Sequence, residues 1–393
     1  MMRLALVAGV IFLAGCSAAS GPSSPGPSAL PTPGASPTLV PSTAAPGTAT
    51  PGPTTSPGPS GLGITFEPVA TVEGTELYGA VAFEGGFVVG GCRLRPESEW
   101  EDHDPCAEAR LLYSPDGRTW TDGELSGAAG RRILAFADTP LGLLAFGSNT
   151  ASEPPLARSI WRSSDGSRWE PFSIPAPEAI VFSAAFVLNG RTVLIGSDSS
   201  YDFAVETEVW ATTDGRQWTS GSTPMVAKVA ASPGIVALGT DCVDLCPEDA
   251  PLRVFRSADG FAWTEGAADP SLAGGEAYAL GAWGGHAVAG GAVGPGALAT
   301  AAVWFDEPGG WRRTPLPGGG GYAVYTLIAG GGRLIAVGRS DDDEHGRAWW
   351  TADGRTWELG TLGGAEAHAL GAWAGVDPIV VVAGFNTIWR SRR

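Results

Sequence analysis

Two groupings of side chains in this 393-residue chain have the residue types for chemistry, and both lie in acidic loops. Tyr201 shares one loop with Glu206 and Glu208. Two carboxylates flanking a glycosidic bond suffice for hydrolysis, one as the acid and the other as base or nucleophile. The second grouping, Asp341-x-Asp343-x-His345-Gly346, sets alternate oxygen ligands ahead of a turn glycine, as a calcium loop begins. Its histidine is a poor ligand for so hard a cation, and no closing glutamate follows at the expected place. No cofactor is therefore expected, calcium on Asp341 and Asp343 being the one alternative the pattern offers. His103, beside Asp104, offers an alternative imidazole to join His345 on a transition metal. Neither grouping singles out a catalytic residue.

The remaining acidic loops suggest binding rather than turnover. Glu101, His103 and Asp104, then Asp202 and Glu206, then Asp244, then Asp341, Asp343 and His345 fall at corresponding places in the first, third, fourth and sixth repeats, and together they make a candidate binding rim. A negative rim attracts a basic partner, and it also serves simply to keep a protein soluble. The net charge of −17 argues against nucleic acid or anionic lipid as an electrostatic partner. Lys228 is the single lysine, which rules out a phosphate loop built on Gly-Lys-Ser/Thr. Leaving Cys16 aside, four cysteines remain. An even number in an exported chain points to disulfides, with proximity pairing Cys92 to Cys106 and Cys242 to Cys246. Zinc is the rival assignment, but the two pairs fall three repeats apart.

The export signal is read at the N-terminus. Arg3 supplies a positive start, Leu4 to Phe12 an apolar stretch, and Leu13-Ala14-Gly15-Cys16 has the form of a bacterial lipobox. Residues 1–15 are expected to be a cleaved signal and Cys16 a lipidated terminus. Residues 16–61 are Pro, Ser, Thr, Ala and Gly almost throughout, a composition that cannot build a core and is expected to form a disordered stalk. The folded domain is expected over residues 62–393.

Within that domain a hairpin recurs: Tyr113 to Trp120, Trp161 to Trp169, Trp210 to Trp218, Phe255 to Trp263 and Trp350 to Trp357, each around an Asp-Gly turn, with a distorted copy at Trp304 to Trp311. From Trp120 the closing tryptophans follow at steps of 49, 49, 45, 48 and 46 residues, the period of one four-stranded propeller blade. Asp-Gly between aromatic strands marks a tight hairpin, because glycine accepts positive φ and the carboxylate takes turn amides. The first strand of each unit is rich in small residues, as crowding around a central axis requires. Six complete units run from Glu76 to Gly360, and a seventh, from Glu366 to Arg393, lacks its last strand. The stretch Ile64 to Val72 can supply it, with Phe66 standing where other units have tryptophan. The expectation is an all-β, seven-bladed propeller of four-stranded antiparallel blades, closed by pairing of the N-terminal strand with the C-terminal blade.

The Ser/Thr-x-Asp-Gly-x-x-Trp hairpins resemble the Asp-box, or BNR, repeats of sialidases and of many non-catalytic propellers, including the photosystem II assembly factor type. Five copies match, with one residue fewer between Asp and Gly than usual. The resemblance implies that Asp116, Asp165, Asp214, Asp259 and Asp353 are structural turn residues on the face opposite the functional one. Sialidases add an arginine triad, a Tyr-Glu nucleophile pair and an early Arg-Ile-Pro sequence. Here the one Arg-Ile step, Arg132-Ile133, continues with Leu134, while Arg93, Arg110, Arg253 and Arg339 fall near strand ends without a triad's spacing. The expected protein is a non-catalytic, monomeric lipoprotein of the bacterial envelope, extracytoplasmic and touching the membrane through its lipid alone. Its propeller would bind an envelope protein or a glycan. The alternative is a sialidase-like glycoside hydrolase.

Overall fold

A computed structural model describes residues 65–99, 104–150, 157–198, 207–224, 228–231, 234–239, 252–294, 298–330, 332–340, 346–362, 370–374, 379–384 and 386–392. The export signal, Cys16 and the stalk lie outside them. The described chain is all β apart from two single-turn 3-10 segments, Glu97–Glu99 and Pro270–Leu272. None of its helices is long and apolar enough to cross a membrane.

The strands form six sheets, not the seven that the repeat count predicts. Sheet one is an antiparallel meander of Thr75–Phe83, Gly86–Leu94, Cys106–Ser114 and Thr121–Asp122. Sheets two to five repeat the plan, starting at Arg131–Thr139, Ile180–Leu188, Lys228–Ala231 and Gly275–Trp283. The sixth has eight strands, in the order Tyr322–Gly330, Arg333–Ser340, Gly346–Thr351, Glu358–Leu362, Thr65–Thr71, Thr387–Arg392, Ile379–Gly384 and Leu370–Ala374. Two meanders merge there because the outermost strand of one runs parallel to Thr65–Thr71 for two residue pairs, Thr65 with Thr361 and Phe66 with Leu362. On its other edge Thr65–Thr71 is antiparallel to Thr387–Arg392. The same type of parallel contact joins Glu124–Leu125 to Arg168–Trp169 and makes sheet two five-stranded. Neighbouring outer strands thus lie close enough to pair wherever their exposed edges run side by side.

The first strands line up around a ring. Thr75–Phe83 lies against Arg131–Thr139, and the contacts continue through the first strands of the later sheets to Leu370–Ala374, which returns to Thr75–Phe83. The core lies between sheet faces. Leu144, Phe146 and Ile160 of sheet two meet Ile180, Phe182 and Trp210 of sheet three, and Val236 and Leu238 of sheet four meet Ala289 and Trp304 of sheet five. Within the eight-stranded sheet, Phe66 and Trp389 pack on Ile335, Val337 and Trp350. Trp169, Trp304 and Trp349 are fully buried, and each such ring removes about 150–250 Å² from water, on the order of 4–6 kcal/mol before entropy is counted. Three tryptophans also tie sheets to the chain that precedes them: indole N–H groups of Trp161, Trp304 and Trp349 donate at 2.9 Å to the carbonyls of Ser126 and Ser271 in connections and of Pro317 in the last strand of sheet five.

Candidate functional site at the bulged first strands

The Asp-Gly turns define one face. In all five, Oδ1 of the aspartate accepts the amide two residues on at 2.8 Å, as in Asp116 with Arg118 and Asp353 with Arg355. It also accepts the next amide, at 2.7 Å from Thr356 in the last copy. The hydroxyl at the end of the third strand accepts the glycine amide, 2.8 Å from Ser114 to Gly117. These glycines adopt positive φ, 69° at Gly117 and 87° at Gly260, which their lack of Cβ permits. Backbone amides at the third and second following residues hold Asp116, Asp214, Asp259 and Asp353 below the ordinary carboxylate range, the last at about 2. Asp165 is lowered the same way, foremost by the Arg168 amide. With Oδ1 of each taken by two turn amides, these carboxylates fix the turns.

The opposite face carries the connections between second and third strands. There the first strands share an irregularity that periodicity does not reveal: register slips by one residue between Leu77 and Gly79, Ile133 and Ala135, Phe182 and Ala184, Ala277 and Ala279, and Val324 and Thr326. The bulged residues are Tyr78, Leu134, Ser183, Tyr278 and Tyr325. Their signal in the sequence is a glycine in the facing second strand. A Cβ on Gly91, Gly147 or Gly291 would stand 1.8 Å from the carbonyl oxygen of Glu76, Arg132 or Glu276, so the bulge requires glycine opposite it.

A bulge re-aims its side chain, and here it gathers tyrosines near the mouth. In sheet one the Tyr78 hydroxyl donates to Glu76 Oε2 at 2.6 Å and lies 3.6 Å from Cys106 Sγ. Burial, then the adjacent Glu76, pushes the phenol well above its usual range, so it acts as a protonated donor. Cys106 is joined to Cys92, as proximity predicts. The Cys106 amide donates to Asp104 Oδ1 at 2.8 Å, and Oδ2 of that carboxylate meets Arg132 of sheet two at 3.1 Å. In sheets five and six the Tyr278 and Tyr325 rings are stacked, with centroids 4.8 Å apart and planes 23° from parallel. The Arg339 guanidinium lies 4.8 Å over Tyr325, and the Tyr278 hydroxyl donates to Glu276.

Other expected site residues fall differently. Asp104 is the one residue of the candidate rim within the described chain, engaged by Arg132. Glu101, His103, Asp202, Glu206, Asp244, Asp341, Asp343 and His345 lie outside it, as do Tyr201, Cys242 and Cys246. Glu208, one of the loop carboxylates paired with Tyr201 above, accepts the Trp210 indole N–H at 2.7 Å. Among the described residues no group of three or more His, Cys, Asp and Glu side chains is placed to hold a metal ion. The strand-end arginines are spread over three sheets. Arg93 pairs with Glu108 at 2.8 Å, Arg110 takes Asp122 in a two-pronged pair and also reaches Thr75, and Arg253 pairs with Glu265. Arg93, Arg110, Glu73, Trp120 and Asp122 line a cleft of about 540 Å³ beside Thr71 and Val72. Its arginines already have carboxylate partners.

The chain is similar in structure to virginiamycin B lyase from Staphylococcus aureus, with a TM-score of 0.56 at 10% identity over 84% of this chain and 99% of that one. A streptogramin B lyase structure gives 0.54 at 11% identity, over 84% and 98%. An acylaminoacyl peptidase from Pyrococcus horikoshii gives 0.51 at 10% identity, covering 81% of this chain and 52% of the peptidase. The fold is a β-propeller. No protein-family model and no curated protein matches the chain. At such identities the likeness of these propellers extends to architecture alone.

Proposed function

We propose that this propeller is a non-catalytic binding or assembly module, held outside the cytoplasm on a lipidated Cys16 and a flexible stalk, whose ligand is an envelope protein or a glycan. Its hairpins are Asp-box-like corners, and pairing of Thr65–Thr71 with the C-terminal strand serves to seal the ring. What supports the binding role is the set of bulged tyrosines near the starts of their strands, on the side where the second strands end, while the Asp-Gly turns occupy the other. Bulges that aim large amphipathic side chains at one rim suit recognition.

The test uses the full-length protein in detergent with isolated envelope of the producing bacterium. Saturable capture, abolished by charge reversal at Glu101, Asp104, Asp341 and Asp343, supports the proposal. Turnover of a fluorogenic glycoside panel that disappears in Glu276→Gln would instead establish a glycosidase, and absence of saturable capture would remove the binding role.

A further inference from the structure

We infer that Tyr278 and Tyr325, with Tyr78 farther along the same arc, form the stacking surface of a site for a neutral saccharide. This rests on the binding role proposed above and adds to it a ligand class and a location.

The first argument is a departure from repetition. The same bulge serves the fold with Leu134 in sheet two and falls at Ser183 in sheet three, so the architecture does not call for an aromatic ring there. Tyrosine occupies the bulge in sheets one, five and six. These positions belong to one arc, because Gly275–Trp283 abuts Tyr322–Gly330, which abuts Leu370–Ala374, which abuts Thr75–Phe83. Among the five described bulges, the aromatic residues fall in the sheets of this arc and not in sheets two and three, which is what a ligand site rather than the scaffold would require.

The second argument is chemical. Tyr278 and Tyr325 are only partly buried, seated on Ala292, Ala299 and Ala323; stacking turns one face of each ring toward the other and Arg339 lies over Tyr325, so the pair is a rigid platform whose outer Tyr278 face is the one a ligand can cover. The face of a tyrosine ring is electron-rich and attracts the polarised C–H groups on one face of a pyranose. Hydroxyl groups at the sugar's edge need partners with fixed directions, and the exposed Glu276 carboxylate beside the Tyr278 hydroxyl can provide them, while Arg339, itself buried, backs the Tyr325 ring. The local charges alternate in sign: Glu276 and Arg339 on one side, Asp104 paired with Arg132 on the other. A strongly acidic sugar would meet Glu76 and Glu276, and a cationic ligand would meet Arg339, so the balance favours a neutral hexose or N-acetylhexosamine.

The experiment is binding of the full-length protein to a printed panel of neutral hexose and N-acetylhexosamine oligosaccharides, with sialylated and uronate members and oligolysine peptides as further arms. The expected result is saturable binding of a neutral oligosaccharide, weakened at least tenfold by Tyr278→Ala, largely retained by Tyr278→Phe and unchanged by Leu134→Ala at the corresponding bulge. Tyr278→Leu, which keeps an apolar group over Ala292 and Ala323, replaces the alanine variant if that one melts early. Binding confined to acidic sugars or peptides, or indifferent to Tyr278, overturns the inference. Capture of envelope without any neutral oligosaccharide binding would sink the inference and leave the binding role standing.

Discussion

Asp104 reaches from the first sheet to Arg132 on the second, 3.1 Å away, with both side chains largely shielded from solvent. The connection that carries Asp104 is tethered at Cys106, whose amide holds the other carboxylate oxygen. Removing the arginine leaves a shielded carboxylate without its counter-charge. Arg132→Ala should cost about 2 kcal/mol, read as a lower urea midpoint with an unchanged slope.

The disulfide closes a loop spanning 14 residues of sequence separation. Constraint of the unfolded chain by a loop of this size contributes on the order of 2–4 kcal/mol. Replacing both Cys92 and Cys106 by serine should lower stability by that amount in denaturant titration, and adding reductant to the native protein should reproduce the loss. Envelope capture should weaken in parallel, because Asp104 loses the frame that holds it.

Gly291 faces the Glu276 carbonyl across the bulge that aims Tyr278. A methyl group there must push the bulge out of register, since the obstacle is backbone and not a flexible side chain. Gly291→Ala should destabilise by about 1–3 kcal/mol in thermal or chemical melts, and should reduce ligand binding beyond what stability explains. A control, Gly284→Ala, adds a Cβ in open space at a residue already in positive φ, so its cost is conformational and its binding unchanged.

The Asp-Gly carboxylates tie stability to pH. Their native values lie below those of an unfolded aspartate, near 3.9, so the stability they contribute is fully present above about pH 5 and is lost as pH falls toward 2. In Asp353→Asn the side-chain carbonyl still accepts the turn amides but does not titrate. The melting temperature of the wild type should exceed that of the variant most at pH 5–7, with the gap closing by about pH 2. A gap independent of pH would mean that the turn draws nothing from the carboxylate charge.

Local chemistry made the hairpins legible: five Asp-Gly steps, each followed by a tryptophan, predict the turns because glycine's φ and the aspartate's acceptor oxygen are local properties. The count of sheets was less legible. The pairing of Thr65 and Phe66 with Thr361 and Leu362 joins segments far apart in the chain, and nothing in either segment announces a parallel partner. The tyrosine arc was hidden for a different reason. A one-residue bulge leaves the apolar pattern of a strand nearly intact, and its trace is a lone glycine on the neighbouring strand, unremarkable in a chain with 58 glycines. Charge makes the acidic loops conspicuous in the sequence, while the inner strands carry no such mark.

The proposed sealing of the ring by Thr65–Thr71 makes the sharpest demand. Thr65–Thr71 pairs with Thr387–Arg392 over most of its length but with Glu358–Leu362 over two residues only, so the C-terminal strand holds most of its hydrogen bonds. Phe66 is 3% exposed, packed with Trp389 and Trp350 between the two halves of the eight-stranded sheet. Truncating it to alanine opens a cavity that this interface cannot fill, with an expected cost of about 3–5 kcal/mol in chemical denaturation. Deleting residues 379–393 removes Trp389 and the antiparallel partner together, exposing Thr65–Thr71 and the Thr75–Phe83 sheet to solvent. A ring in which each sheet supports the next has no independent part to fall back on, so loss of near-ultraviolet circular dichroism throughout the domain is expected. A truncated protein that keeps its signal and its melting temperature would mean the ring stands without that seal.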